Sequence, residues 1–184
     1  MTHPTRFDGP ARLLHWSMAA LILAMLFIGV AMVGSLADYG TLVTLHRPLG
    51  LAILLLAILR LANRWRRPPP PLPTDLPPWQ RRAAHASHVA LYGLMLAMPL
   101  VGWATLSAGR IPVAVVGPLV LPPILPQNPM LYARLRELHT VLAYGLFGLI
   151  LAHLAAALLH GLIRQDGVFS SMAPWRSRRS AGNL

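Results

Sequence analysis

The sequence predicts an all-α fold, an integral membrane bundle of four spanning helices, and three observations carry that expectation. Of 184 residues, 55% are hydrophobic and only 11% are charged, less than half of the roughly 25% charged residues that clothe a soluble domain. Four apolar runs are each long enough to cross a bilayer. The ionisable residues inside those runs are nearly all histidines, at spacings that return to one helix face.

The first run, Leu13 to Val33, is 21 residues long; at about 1.5 Å per residue it crosses a hydrocarbon core of about 30 Å. A secretory apolar core is only about 7–15 residues, so this run reads as an uncleaved helix. The second, Leu42 to Ala62, contains His46, Arg47 and Arg60 near its ends, where long side chains reach the interface, and is unbroken apolar sequence between Pro48 and Leu59. The third, Val89 to Leu106, holds Pro99, which bundle neighbours accommodate in a membrane helix. The fourth, Leu138 to Ile163, has no formal charge in 26 residues but holds His139, His153 and His160. Residues 1–172 are therefore expected to form one transmembrane domain with spans at about 13–33, 42–62, 89–106 and 138–163, followed by a basic cytoplasmic tail at 173–184.

Two connections stand out. Asn63 to Arg82 carries seven prolines between Arg-rich ends and is expected to be an extended, non-helical strut. Ser107 to Glu137 is apolar in part but is broken by Pro112, Pro118, Pro122 and Pro123, so it reads as a cap over the bundle end and not as a fifth span.

The net charge is +11, and all sixteen basic residues are arginine. They fall between apolar runs and not along one polar stripe, which argues against nucleic acid and for membrane loops meeting lipid head groups. Arg6, Arg12, Arg64, Arg66, Arg67, Arg81, Arg82, Arg164, Arg176, Arg178 and Arg179 all lie on one side of a four-span topology, which places both termini in the cytoplasm. The absence of cysteine excludes disulfides, thiolate metal sites, iron–sulfur clusters and covalent haem attachment.

Intramembrane ionisable groups are costly and mark functional sites. His139 and His153 are 14 residues apart, which returns to within roughly 40° of one face about 21 Å along the axis. One helix thus offers two imidazoles at two depths. His46, at the outer start of the second span, matches His139 in depth; His15, at the inner start of the first, matches His153. His160, seven residues beyond His153, competes for that inner position. Imidazoles facing in pairs across a bundle suit a haem iron with both axial positions filled, an electron-transfer centre with no open coordination site. Gly50, one turn after His46, and Gly29, 14 residues after His15, would admit a flat macrocycle. Zinc fits less well, since it needs three or four ligands at one level.

These residues resemble the prokaryotic cytochrome b561 family of four-helix di-haem membrane proteins. The matching pieces are Arg12-Leu13-Leu14-His15-Trp16, Leu45-His46-Arg47-Pro48-Leu49-Gly50 with Arg60, His85-Ala86-Ser87-His88 with Tyr92 and Pro99-Leu100-Val101-Gly102-Trp103, and Leu138-His139 with His153 and His160. The resemblance implies two haem b groups, the inner held by His15 and His153 and the outer by His46 and His139, in a bacterial inner membrane. It implies electron flow from a periplasmic donor, superoxide or a redox protein, to ubiquinone, with His88 and His160 at the quinone site. Arg134, Arg136 and Arg47 would then form an entrance for an anionic donor. Arg136, one turn above His139, would also suit a haem propionate, as would Arg81 and Arg82 on the inner side.

Overall fold

A computed structural model describes residues 6–116 and 118–173. Four long helices dominate it: α1 (Gly9–Gly34), α2 (Tyr39–Arg66), α3 (Pro78–Ala108) and α4 (Pro129–Leu158). All four are long and apolar enough to cross a membrane. Their outward faces carry large apolar side chains such as Phe27 (75% exposed), Val141 (61%) and Leu151 (50%), surface that suits lipid and not water.

Each helix outruns its expected span. Asp8 caps α1 by accepting a hydrogen bond from the Ala11 N–H (3.1 Å), and Pro10 sits in the first turn, where no donor is lost. The expected strut at 63–82 is shorter than the sequence suggests. Asn63 to Arg66 contain no proline and continue α2, which stops at Arg67, the residue before the Pro-rich stretch. Pro78 opens α3 well before Val89 because proline is tolerated at a first helical position. Asn128 caps α4 by accepting from the Leu131 N–H (3.0 Å), with Pro129 following it.

The connection from α3 to α4 departs from the all-helical expectation. Val113–Val116 (β1) and Leu119–Leu121 (β2) pair antiparallel, with Val113 opposite Leu121 and Ala114 opposite Val120. Valines on both strands favour this pleated pairing, and the neighbouring prolines deny the segment a helix. It does act as a strap across the bundle end. β1 lies on α2, the Trp103 indole donates to the Pro122 carbonyl (3.0 Å), and the Ile124 N–H donates to Ser107 Oγ (3.1 Å).

α4 continues without a break as a π-helical turn, Leu159–Arg164, which ends at Gln165 and Gly167, both at positive φ. A short α5 (Val168–Met172) then returns to the start of α1. The Phe7 N–H donates to the Ser171 carbonyl (3.1 Å) and the Trp16 indole to that of Met172 (3.0 Å). This end of the bundle is called the clasp end below, and the other the strap end. The basic tail beyond Ala173 lies outside the described residues.

Packing is uneven around the bundle. α1 lies closely on α2, α3 on α4, and α2 joins the two pairs through α3. α4 stands off from α1 and α2. The buried core is a mid-bundle layer of Met18, Ile22, Ile53, Ala57, Met95 and Leu146. Leu146 lies midway between His139 and His153, so this layer separates two histidine levels.

Candidate functional site

Two imidazole pairs span the space that α4 keeps from its neighbours. At the strap end, His46 of α2 faces His139 of α4 with ring centres 6.2 Å apart and planes at 63°. At the clasp end, His15 of α1 faces His153 of α4 at 6.4 Å and 74°. Two imidazoles on opposite sides of one metal ion, each with a metal–nitrogen bond of about 2 Å, have ring centres roughly 6 Å apart. Nδ1 of His46 and Nδ1 of His139 are buried without hydrogen-bond partners, a cost that a native site offsets elsewhere. A methyl group added at Gly29 would meet nothing within 4 Å, although the residue sits on the half-buried face of α1. At Gly50 it would touch only Met25, at 3.7 Å. The facing imidazoles, at a separation that one iron would bridge, and the absence of close contacts at Gly29 and Gly50 fit haem. Among the described residues, no three His, Cys, Asp or Glu converge as a metal cluster.

His88 of α3 also reaches the clasp-end level, its ring 5.7 Å from His153. That approach crosses the closely packed α3–α4 interface, which leaves no slot for a macrocycle, whereas α1 and α4 stand apart. His160 turns elsewhere. Its Nδ1 lies 2.6 Å from Asp166 Oδ2, and Asp166 is also ion-paired to Arg164 (3.3 Å) and accepts from the Val168 N–H (3.2 Å). Arg164 in turn reaches Asp75 (3.2 Å) and Gln80 (3.1 Å). Burial alone would raise the Asp166 carboxyl, but the bonds from His160 and Val168, with Arg164 beside them, hold it below the usual carboxylate range.

The three arginines expected at the donor entrance are not equivalent. Arg134 is exposed and paired with Glu137 at 3.7 Å. Arg136 is exposed in a shallow depression with Tyr132, Ala133, Glu137 and Thr140. Arg47 instead reaches the strap, donating to the Pro112 carbonyl at 3.5 Å, while its Nε is buried without a partner. Arg81 is occupied in closing the Pro-rich turn, donating to the carbonyls of Leu76 (3.1 Å) and Thr74 (2.6 Å).

Sequence reading missed three features. Gly102 sits against His139, so that an added methyl would lie 3.4 Å from the ring's Cε1; the sequence marks it only as part of the Pro99–Trp103 piece and not as a neighbour of His139. Arg60 donates to Nδ1 of His15 (2.7 Å) and to the Tyr92 hydroxyl (3.1 Å), a contact that no spacing rule joins across three helices. Asp166 is a lone acid just past a basic helix end, with no motif around it to single it out.

Comparison with known proteins gives matches of one kind. The family model for prokaryotic cytochrome b561 matches residues 6–175. The chain is 29% identical over 175 residues to cytochrome b561 homolog 1 of Escherichia coli (strain K12), covering 93% of this chain and 98% of that one. It is 31% identical over 173 residues to homolog 2 of the same organism, covering 92% of each. It is 32% identical over 130 residues to a probable superoxide oxidase CybB of Yersinia pestis, covering 71% of this chain and 73% of that one.

Proposed function

The chain belongs to the prokaryotic cytochrome b561 family of haem b electron-transfer membrane proteins, and from that premise we propose that it is a di-haem superoxide:ubiquinone oxidoreductase of the bacterial inner membrane. Both termini face the cytoplasm, so the clasp end is the inner one, in keeping with the arginine distribution. His15 and His153 would hold the inner haem, and His46 and His139 the outer. The single observation carrying this reading is the two imidazole pairs, with ring centres 6.4 and 6.2 Å apart, that α4 makes with α1 and α2. Haem held by these imidazoles would supply one-electron chemistry there.

The chain's own residues do the rest. Arg136 and Arg134 give the outer surface a positive field for an anionic donor, which Glu137 partly offsets; Arg47 serves that entrance from beneath the strap. At the inner end, His88 and His160 flank ubiquinone. The imidazole of His160, oriented by Asp166, is suited to pass protons to a quinone as it is reduced.

Purified chain should contain two haems, and both should be reduced rapidly by superoxide and reoxidised by ubiquinone. Substituting His46 or His139 by alanine should remove the outer haem alone, and substituting His15 or His153 the inner one. A haem-loaded chain that ignores superoxide removes the oxidase assignment.

One observation favours a second reading, in which a periplasmic dehydrogenase, hydrogenase or cytochrome is the donor. The strap presents Leu119 (55% exposed), Val120 (50%) and Ile124 (46%) beside the outer pair, and exposed apolar side chains grouped in this way suit a docking protein. Co-purification of such a partner, with no reaction of the isolated chain, would select it.

A further inference from the structure

At the clasp end a recess opens between α1, α2 and α3, lined by Arg60, Arg64, Arg67, His88 and Tyr92 and closed by Phe7 and Met172. Arg67 is already paired, its guanidinium 2.7 Å from Asp8. Arg60 and Arg64 are not: among the described residues neither has a carboxylate within ion-pair reach. They lie one turn apart on α2, and both guanidinium groups stack on one ring, 5.7 and 5.9 Å from the centre of Tyr92. Two guanidinium groups gathered at one ring without a carboxylate partner leave a positive site that an anion would complement. Arg60 also reaches the inner site, since its Nη1 donates to Nδ1 of His15.

We propose that Arg60 and Arg64, held on Tyr92, are the receptor for the paired propionate carboxylates of the inner haem. The assignment rests on the bis-histidine reading of His15 and His153. It takes the role from Arg81, which is occupied by the carbonyls of the Pro-rich turn, and from Arg82, which is exposed. A guanidinium is always protonated, so its contact with His15 makes Nδ1 an acceptor; an imidazole that ligates through its other nitrogen carries its proton on Nδ1. A His15 that ligated through its other nitrogen would no longer accept from Arg60, and a carboxylate at the recess would be the partner for that donor. Arg64, free of any such bond, supplies the second donor fork.

The test compares haem b with its dimethyl ester, which keeps the iron and ring but lacks both carboxylates. Chain produced without haem is loaded in detergent with one or the other, and haem loss to excess apomyoglobin is followed by absorbance, with the outer haem as internal reference. Wild type should lose the inner ester about 100-fold faster than inner haem b, and Arg60→Gln or Arg64→Gln should each shrink that ratio about tenfold. Outer-haem loss should be unchanged in both. Should Arg60→Gln fail to fold because of its bonds to His15 and Tyr92, Arg64→Gln carries the test alone, with Arg64→Lys expected to restore part of the ratio. A wild-type ratio in Arg64→Gln overturns the proposal, as would be found if the recess served a lipid phosphate or a neutral quinone. The underlying ligand reading fails differently, by a His15→Ala chain that keeps both haems.

Discussion

Gly102 offers the sharpest structural test of the outer site, because it touches a proposed ligand without being one. A methyl group there would sit 3.4 Å from Cε1 and 3.8 Å from Nδ1 of His139. That is slightly inside the optimum of about 3.5–4.0 Å for carbon contacts, so alanine asks the ring to yield by a few tenths of an ångström. Valine adds two methyl carbons about 1.5 Å beyond that point. One directed at the ring would stand roughly 2 Å from it, and relief requires the imidazole to retreat by about 1.5 Å. A metal–ligand bond tolerates only about 0.2 Å. Gly102→Ala should therefore retain two haems per chain with a small spectral shift. Gly102→Val should drop the ratio to one and leave the same inner-haem spectrum as His139→Ala. The measurement is haem content by pyridine haemochrome, with low-temperature reduced-minus-oxidised spectra to tell the two centres apart. Two haems with an unshifted spectrum in the valine variant would refute the placement of His139, and loss of the inner haem would refute its assignment to the outer one.

Further outcomes follow from the clasp end and the strap. Asp166, held below the usual carboxylate range, stabilises the folded clasp above the ordinary aspartate value of about 3.9, and that contribution is lost as pH falls through its depressed value. The protection factor of the Val168 amide, its exchange relative to the free chain at the same pH, should thus be high at neutral pH and fall in acid; Asp166→Ala should lower it at neutral pH, and full protection in that variant would contradict the role. Asp8→Ala removes the α1 cap and the partner of Arg67, itself largely exposed, and should cost about 1–2 kcal/mol, seen as a fall of a few degrees in the Tm of the detergent-solubilised chain. Gly109→Ala would place a methyl 2.8 Å from Cδ2 of Tyr132. The Tyr132 ring should swing away and loosen the start of α4, read as faster proteolysis of the strap, whereas wild-type resistance would show that the ring moves freely.

How much of this was legible in the sequence follows from what each feature depends on. The spans could be read because hydropathy over about 20 residues is a property of the chain alone. Their true ends could not, because Asn63 to Arg66 and Pro78 to His88 are polar helix, indistinguishable by hydropathy from loop. The two imidazole levels were visible because residues on one helix keep a fixed rise and rotation, so 139 and 153 constrain each other directly. His88 reaching His153 was hidden because it depends on how far α3 slides against α4, which no single-chain spacing records. His160 was read as a competitor of His153 on the assumption of a regular helix. The π-helical turn from Leu159 alters that rotation, and the ring meets Asp166. The strap was seen as a cap, but its strands were not, since two short pairing segments gain their stability from α2 and α3 beneath them.

The apolar layer of Met18, Ile22, Ile53, Ala57, Met95 and Leu146 lies between the two histidine levels, with Tyr92 packed against it. Electrons tunnel through saturated hydrocarbon, whereas protons need a continuous file of hydrogen-bonding groups. A dry layer of this kind is a poor path for protons, so a membrane electron-transfer protein built around one would not itself dissipate the ion gradient of its membrane.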